Sequence, residues 1–193
     1  MSKTAAEWIW LLATCSVLAL RVPPLLRSRR ERVRVTARER HNLLAALYAI
    51  GTVVIPAQYV FSDFPRSADY AFLPALGWIG SAAAVIAVWL FYRAHADLGR
   101  QWSSTLEIRE GHRLVTNGIY ARLRHPMYTS FIALTLSQAL LLPNWVIGPA
   151  GLIAYGIFVL LRMPPEEQLM LRQFGDDYRA YMARTQRIIP WVW

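Results

Sequence analysis

The chain has one cysteine, Cys15, and one lysine, Lys3, in 193 residues. A lone cysteine excludes an intramolecular disulfide. Within its apolar run Cys15 reads as a small buried or lipid-facing residue. Acidic residues are few as well, 12 against 21 basic ones, which leaves a formal charge of +9. The sequence contains no glycine-rich phosphate loop, no serine nucleophile elbow and no dinucleotide fingerprint. No basic leader with a small-residue cleavage site opens the chain, so the first apolar run is expected to remain as a helix. No low-complexity tract occurs, and no inverted repeat of the kind that marks many transporters.

What is abundant is apolar sequence, 55% of the residues, arranged in blocks of membrane-spanning length. Five segments are expected: 5–20, 42–61, 71–92, 127–142 and 145–161. Trp8 and Trp10 serve the first as interfacial anchors, and Pro23-Pro24 is expected to stop any helix after it. Gly77, Gly80, Ser81 and Ala82 to Ala84 equip the third for close helix contact. Pro143-Asn144 makes the last two an antiparallel hairpin. Arginines gather between the blocks: eight in 21–40, against Glu31 and Glu39, and six in 93–126. The connection 62–70, with Asp63, Arg66 and Asp69, is net negative. Placing the arginine-rich connections inside leaves only Arg66 of the 20 arginines outside. This distribution explains the charge without nucleic acid, and no nucleic-acid-binding motif appears. The expected fold is therefore all-α, an integral membrane protein with five transmembrane helices, the N-terminus outside and a cytosolic C-terminal helical tail. One domain covers 1–193: three helices in 1–92, a cytosolic loop in 93–126, a transmembrane hairpin in 127–163 and the tail in 164–193. In the tail a helix is expected from Pro165 to Phe174, ended by Gly175, with a second through Tyr178 and Tyr181 and Trp191 and Trp193 at the headgroups.

Two clusters can do chemistry. In the first, Arg124, His125 and Pro126 begin a helix whose free N–H groups favour a carboxylate or phosphate. Tyr120 and Tyr128 offer faces that attract a sulfonium or quaternary ammonium. The same residues also fit a proline-capped helix with a snorkelling arginine and interfacial tyrosines. In the second, if the helix continues through Pro164-Pro165, where the two prolines are expected to kink it, Arg162 and Glu166 share a face. That is either an interfacial ion pair or a functional site at the bilayer edge. Glu166-Glu167 also suits a general base or a metal ligand. His95, His112 and His125 with Glu107 or Glu166 lack metal-site spacing, so no metal is expected.

The pattern His112-x-Leu114-Val115-x-x-Gly118-x-Tyr120, Arg124-His125-Pro126-x-Tyr128, Arg162-x-x-x-Glu166-Glu167 and Phe174-Gly175-x-x-Tyr178-x-x-Tyr181 resembles the isoprenylcysteine carboxyl methyltransferase family, especially its short prokaryotic five-helix members. The resemblance covers about 88–190 and gives the first two helices only a topological role. It implies S-adenosylmethionine as cofactor, S-adenosylhomocysteine as product and no metal. Its implied cofactor residues are His112, Leu114, Val115, Gly118, Tyr120, Arg124, His125, Pro126, Tyr128, Glu166 and Glu167, completed by the tail. Arg162 and Glu166 are the implied catalytic pair, with Arg162 on the methyl-accepting carboxylate. The implied acceptor is a lipophilic or prenylated substrate that enters from the bilayer lipids, with the active site on the cytosolic face of a cell inner membrane. A phospholipid, amine or thiol methyltransferase, an NADPH-dependent membrane reductase and a non-catalytic membrane scaffold are the alternatives.

Overall fold

A computed structural model describes residues 1–28, 38–62, 66–102 and 113–188. The expectations for Asp63, Glu107, His112, Trp191, Trp193 and four of the eight arginines of the first cluster lie outside these residues. The described residues are helical, with two isolated bridges, Asp69 to Asn144 and Leu123 to Gln186, and no strand. The helices are α1 (Lys3–Ser28), α2 (Arg38–Ala49), α3 (Ile55–Phe61), α4 (Pro74–Leu98), α5 (Pro126–Leu141) and α6 (Ile147–Arg184). A π-helical turn, Ile50–Val54, joins α2 to α3. Its cause is local. Pro56 has no N–H to give the carbonyl four residues before it, and the Ile55 N–H reaches Ile50 O, five residues back.

α1, the run 43–61, α4 and α6 are each long and apolar enough to cross a membrane. α5 is shorter, at 16 residues. α4 shows why the bundle suits lipid. Gly77, Gly80, Ala84, Ala87, Phe91 and Ala94 recur at helical spacing and are buried. The opposite face exposes Trp78, Val85, Ile86 and Trp89, an apolar surface of a size that water does not tolerate. The small stripe lets α5 approach: a side chain at Gly80 would collide with Leu140 and Leu141. These features are those of a helix bundle that spans a membrane.

Two expectations about prolines are corrected. α1 passes through Pro23-Pro24 and ends at Ser28. α6 passes through Pro164-Pro165 without a break. Each proline deletes one backbone donor, but its ring holds φ near −65°, a helical value, so the ladder resumes one turn on. The kink in α6 falls instead at Gly175, where φ is 51°, a left-handed value that glycine adopts cheaply. Helix continues beyond it through Tyr178 and Tyr181.

At the end of the bundle remote from the motifs, one polar node ties four elements together. Asp69 accepts from Lys3 Nζ at 2.7 Å, the Tyr59 hydroxyl at 2.9 Å and Asn144 Nδ2 at 2.8 Å. Burial alone would raise the Asp69 carboxyl, but hydrogen bonds from Lys3, Asn144 and Tyr59 hold it below its ordinary value. Asn144 Oδ1 also caps α6, accepting from the Val146 and Ile147 N–H groups at 3.0 and 2.9 Å. Asn144→Ala removes both functions and is expected to destabilise the fold by about 1–3 kcal/mol. Thermal unfolding in detergent checks this, and an unchanged midpoint would contradict it.

Candidate active site

The motif between α4 and α5 is held by the end of the chain. The Arg124 and His125 N–H groups donate to Gln186 O at 2.8 Å and Arg187 O at 3.0 Å, and the Gln186 N–H returns to Arg122 O at 3.0 Å. The Thr129 hydroxyl donates to Ile188 O at 2.6 Å. Residues 185–188 are thus clipped along 122–125, at the mouth of α5. Tyr181, from beyond the Gly175 kink, donates to Tyr120 O at 2.7 Å. Gly118 begins a short 3-10 turn with φ 58°, and the Ile119 N–H then bonds Asp97 at 2.8 Å. A side chain at Gly118 would strike that carboxylate.

Below this clip lies a buried charge cluster. Glu167 Oε1 accepts from Arg124 Nε at 3.1 Å and His125 Nε2 at 3.3 Å, while its Oε2 pairs with Arg187 at 3.1 Å. Arg124 Nη1 donates to the carbonyls of Met182, at 3.1 Å, and Thr185, at the end of α6 where carbonyls lack partners within the helix. Adjacent residues on a helix point about 100° apart, so Glu166 faces elsewhere. It accepts from the Tyr128 hydroxyl at 2.5 Å and lies 3.6 Å from Arg162 Nε and 3.8 Å from His125 Nδ1. The His125 and Tyr128 rings stack at 5.1 Å and 13°. Arg162 rests over Phe158, 5.4 Å from its ring centre.

This second group opens into a cavity of about 480 Å³. Of the residues expected to bind ligand, Leu114, Val115, Tyr120, Arg124, His125, Pro126, Tyr128, Arg162 and Glu166 line it. Gly118 and Glu167 do not. Gly118 instead shapes the turn beside Asp97, and Glu167 is the buried counter-charge that Arg124 and Arg187 share. His112 lies outside the described residues. Among the described residues no group of three or more metal-ligating side chains is assembled. His95 reaches the cavity with Nδ1 on Phe91 O at 3.0 Å.

The cavity also takes residues from elements that carry no motif, Arg21 from α1, Tyr48 from α2 and Thr52 from the π-turn, and Tyr155 from the part of α6 before its motif. Sequence reasoning assigned the first two segments only topology. The available signal was faint, a polar pair four residues apart, Tyr48 and Thr52, on an otherwise apolar helix. Trp102 completes the wall, its indole N–H 3.1 Å from Met127 Sδ.

Comparison with known proteins agrees with this geometry. The family described as isoprenylcysteine carboxyl methyltransferase (ICMT) matches residues 78–172. Protein-S-isoprenylcysteine O-methyltransferase B of Arabidopsis thaliana is 28% identical over 158 residues, covering 78% of this chain and 77% of that protein. The Schizosaccharomyces pombe protein-S-isoprenylcysteine O-methyltransferase is 36% identical over 81 residues, covering 42% of this chain and 34% of that one. A solved structure of the eukaryotic intramembrane Ras methyltransferase ICMT superposes with a TM-score of 0.53 at 22% identity, over 82% of this chain and 55% of that one. At that identity the superposition speaks to the fold, and this chain spans about half of the longer structure. The chain is an integral membrane protein that is similar, over residues 78–172, to the isoprenylcysteine carboxyl methyltransferase family and, over most of its length, to a methyltransferase of that name.

Proposed function

We propose that the chain transfers a methyl group from S-adenosylmethionine to the carboxylate of a lipophilic acid, with an S-prenylcysteine as the reference acceptor. The observation that carries this reading is the meeting of Arg162, Glu166 and the stacked His125 and Tyr128 rings in one otherwise largely apolar cavity. In this reading all five long helical segments span the bilayer, α5 included, with the N-terminus outside. The cavity then faces the cytosolic side of the cell inner membrane, where the arginine-rich connections lie.

The residues fit the cofactor. The volume falls within the roughly 300–1,000 Å³ of small-molecule sites. Glu166 is a carboxylate for an ammonium group, Tyr120 and Tyr128 provide faces for a cation, and Leu114 and Val115 provide an apolar wall. When bound, S-adenosylmethionine supplies a sulfonium methyl that bonds to the acceptor oxygen while the breaking carbon–sulfur pair stays on sulfur, leaving S-adenosylhomocysteine and the methyl ester. An ionised carboxylate is already nucleophilic, so no side chain has to remove a proton. Arg162, braced by Glu166 and Phe158, orients that carboxylate for in-line attack. The apolar walls keep water away from two opposite charges that vanish as they react.

Titration of S-adenosylhomocysteine into the detergent-purified protein tests this reading, with NADPH as the comparison. Micromolar binding of the first, weakened at least about tenfold in Glu166→Ala, is expected. Binding of NADPH alone would replace the methyltransferase reading with a reductase.

A further inference from the structure

We infer that Arg21, on α1 and outside the segment matched by the family, is a second anion-binding residue of the acceptor site and brackets the substrate carboxylate together with Arg162. This rests on the proposed function and adds a residue to it.

Four observations carry the inference. Arg21 and Arg162 line the same cavity, together with His95, Tyr48 and Tyr155. Among the described residues no carboxylate pairs with Arg21. The other cations at the wall have a counter-charge or are peripheral: Arg124 shares Glu167 with Arg187, Arg162 has Glu166, and Arg113 is exposed. Finally, three polar atoms of lining residues are buried without a hydrogen-bond partner: Thr14 Oγ1, His95 Nε2 and the Tyr155 hydroxyl.

The charge balance points to an anion. Arg21 and Arg162 against Glu166 leave one positive charge in a cavity with largely apolar walls, where like charges repel strongly. One acceptor carboxylate cancels it, and its two oxygens offer lone pairs enough for two guanidinium groups. Arg21 therefore selects for acids: an acceptor with a neutral head loses one of its two cationic contacts without any change in its apolar tail.

The test is steady-state kinetics with N-acetyl-S-farnesylcysteine at saturating S-adenosylmethionine, for the wild type, Arg21→Gln and Arg21→Lys. In Arg21→Gln the KM for the acid is expected to rise about 10- to 100-fold. The Kd of S-adenosylhomocysteine should stay the same, which also shows that the variant is folded. Arg21→Lys should recover part of the loss. The primary amide of the same acceptor, used as an inhibitor, should bind the wild type and Arg21→Gln equally. An unchanged KM for the acid overturns the inference, and so does an equal loss for acid and amide, which would make Arg21 a packing residue. A wild-type enzyme that binds S-adenosylhomocysteine but does not methylate the acid overturns the proposed acceptor, and the role of Arg21 with it.

Discussion

Arg162→Ala is expected to abolish methyl transfer while leaving the cofactor in place. The predicted fall in kcat/KM is on the order of 10²- to 10³-fold, the scale found when one preorganised charge-stabilising donor is removed. The S-adenosylhomocysteine Kd is expected to hold within about threefold, because a lost guanidinium contact to the acceptor costs the cofactor only its indirect share. The separation follows from geometry. Arg162 touches Glu166 through one oxygen, at 3.6 Å, and Glu166 keeps its shorter bond to Tyr128, at 2.5 Å, in the variant. Kinetics on purified protein, with calorimetry alongside, reads both quantities. Activity close to wild type would refute the assignment of Arg162 to the acceptor. A large loss of cofactor affinity instead would place Arg162 on the cofactor side of the cavity.

The largest expected effect on stability belongs to Glu167→Ala. Arg124 and Glu167 have side-chain exposures of 7% and 8%, so their pairing is shielded from solvent. Deleting the carboxylate leaves Arg124 buried without its counter-charge and releases His125 and Arg187 as well. Breaking one half of such a pair costs about 3–5 kcal/mol. The loss should show as a lowered unfolding midpoint and as faster proteolysis of residues 175–188, which the cluster ties to residues 122–125. Glu167→Gln keeps hydrogen-bond acceptance and should recover part of the stability. An unaltered midpoint in Glu167→Ala would mean that the backbone bonds between residues 122–125 and 185–188 hold the tail unaided. The two neighbours thus separate: Glu166 variants should act on binding, Glu167 variants on folding.

That separation was not legible in the chain. Glu166 and Glu167 read as one acidic pair, with both assigned to the cofactor. The helix itself was needed to turn one toward Tyr128 and the other toward Arg124. The helices were far more legible, because hydropathy is summed over a window and survives local errors. The small stripe of α4 was visible as Gly77, Gly80 and Ala84 and is the face against which α5 packs. The two double prolines misled because a missing N–H is a strong local signal, while a helix lacking two internal bonds still gains from the packing of every other turn.

The sequence by itself determined the apolar segments, the gathering of arginines between them and the residues of the motif wall, since each depends on composition or short spacing along one element. Only the tertiary structure decided that α1, α2 and the π-turn share that wall, and that Arg21 lines the same cavity as Arg162, 141 positions further along the chain (162 − 21). It also decided that the chain's end locks Arg124 and His125 in place. These are contacts between elements remote in sequence. Their existence depends on which faces the packed bundle turns inward, and no local pattern of residues encodes that.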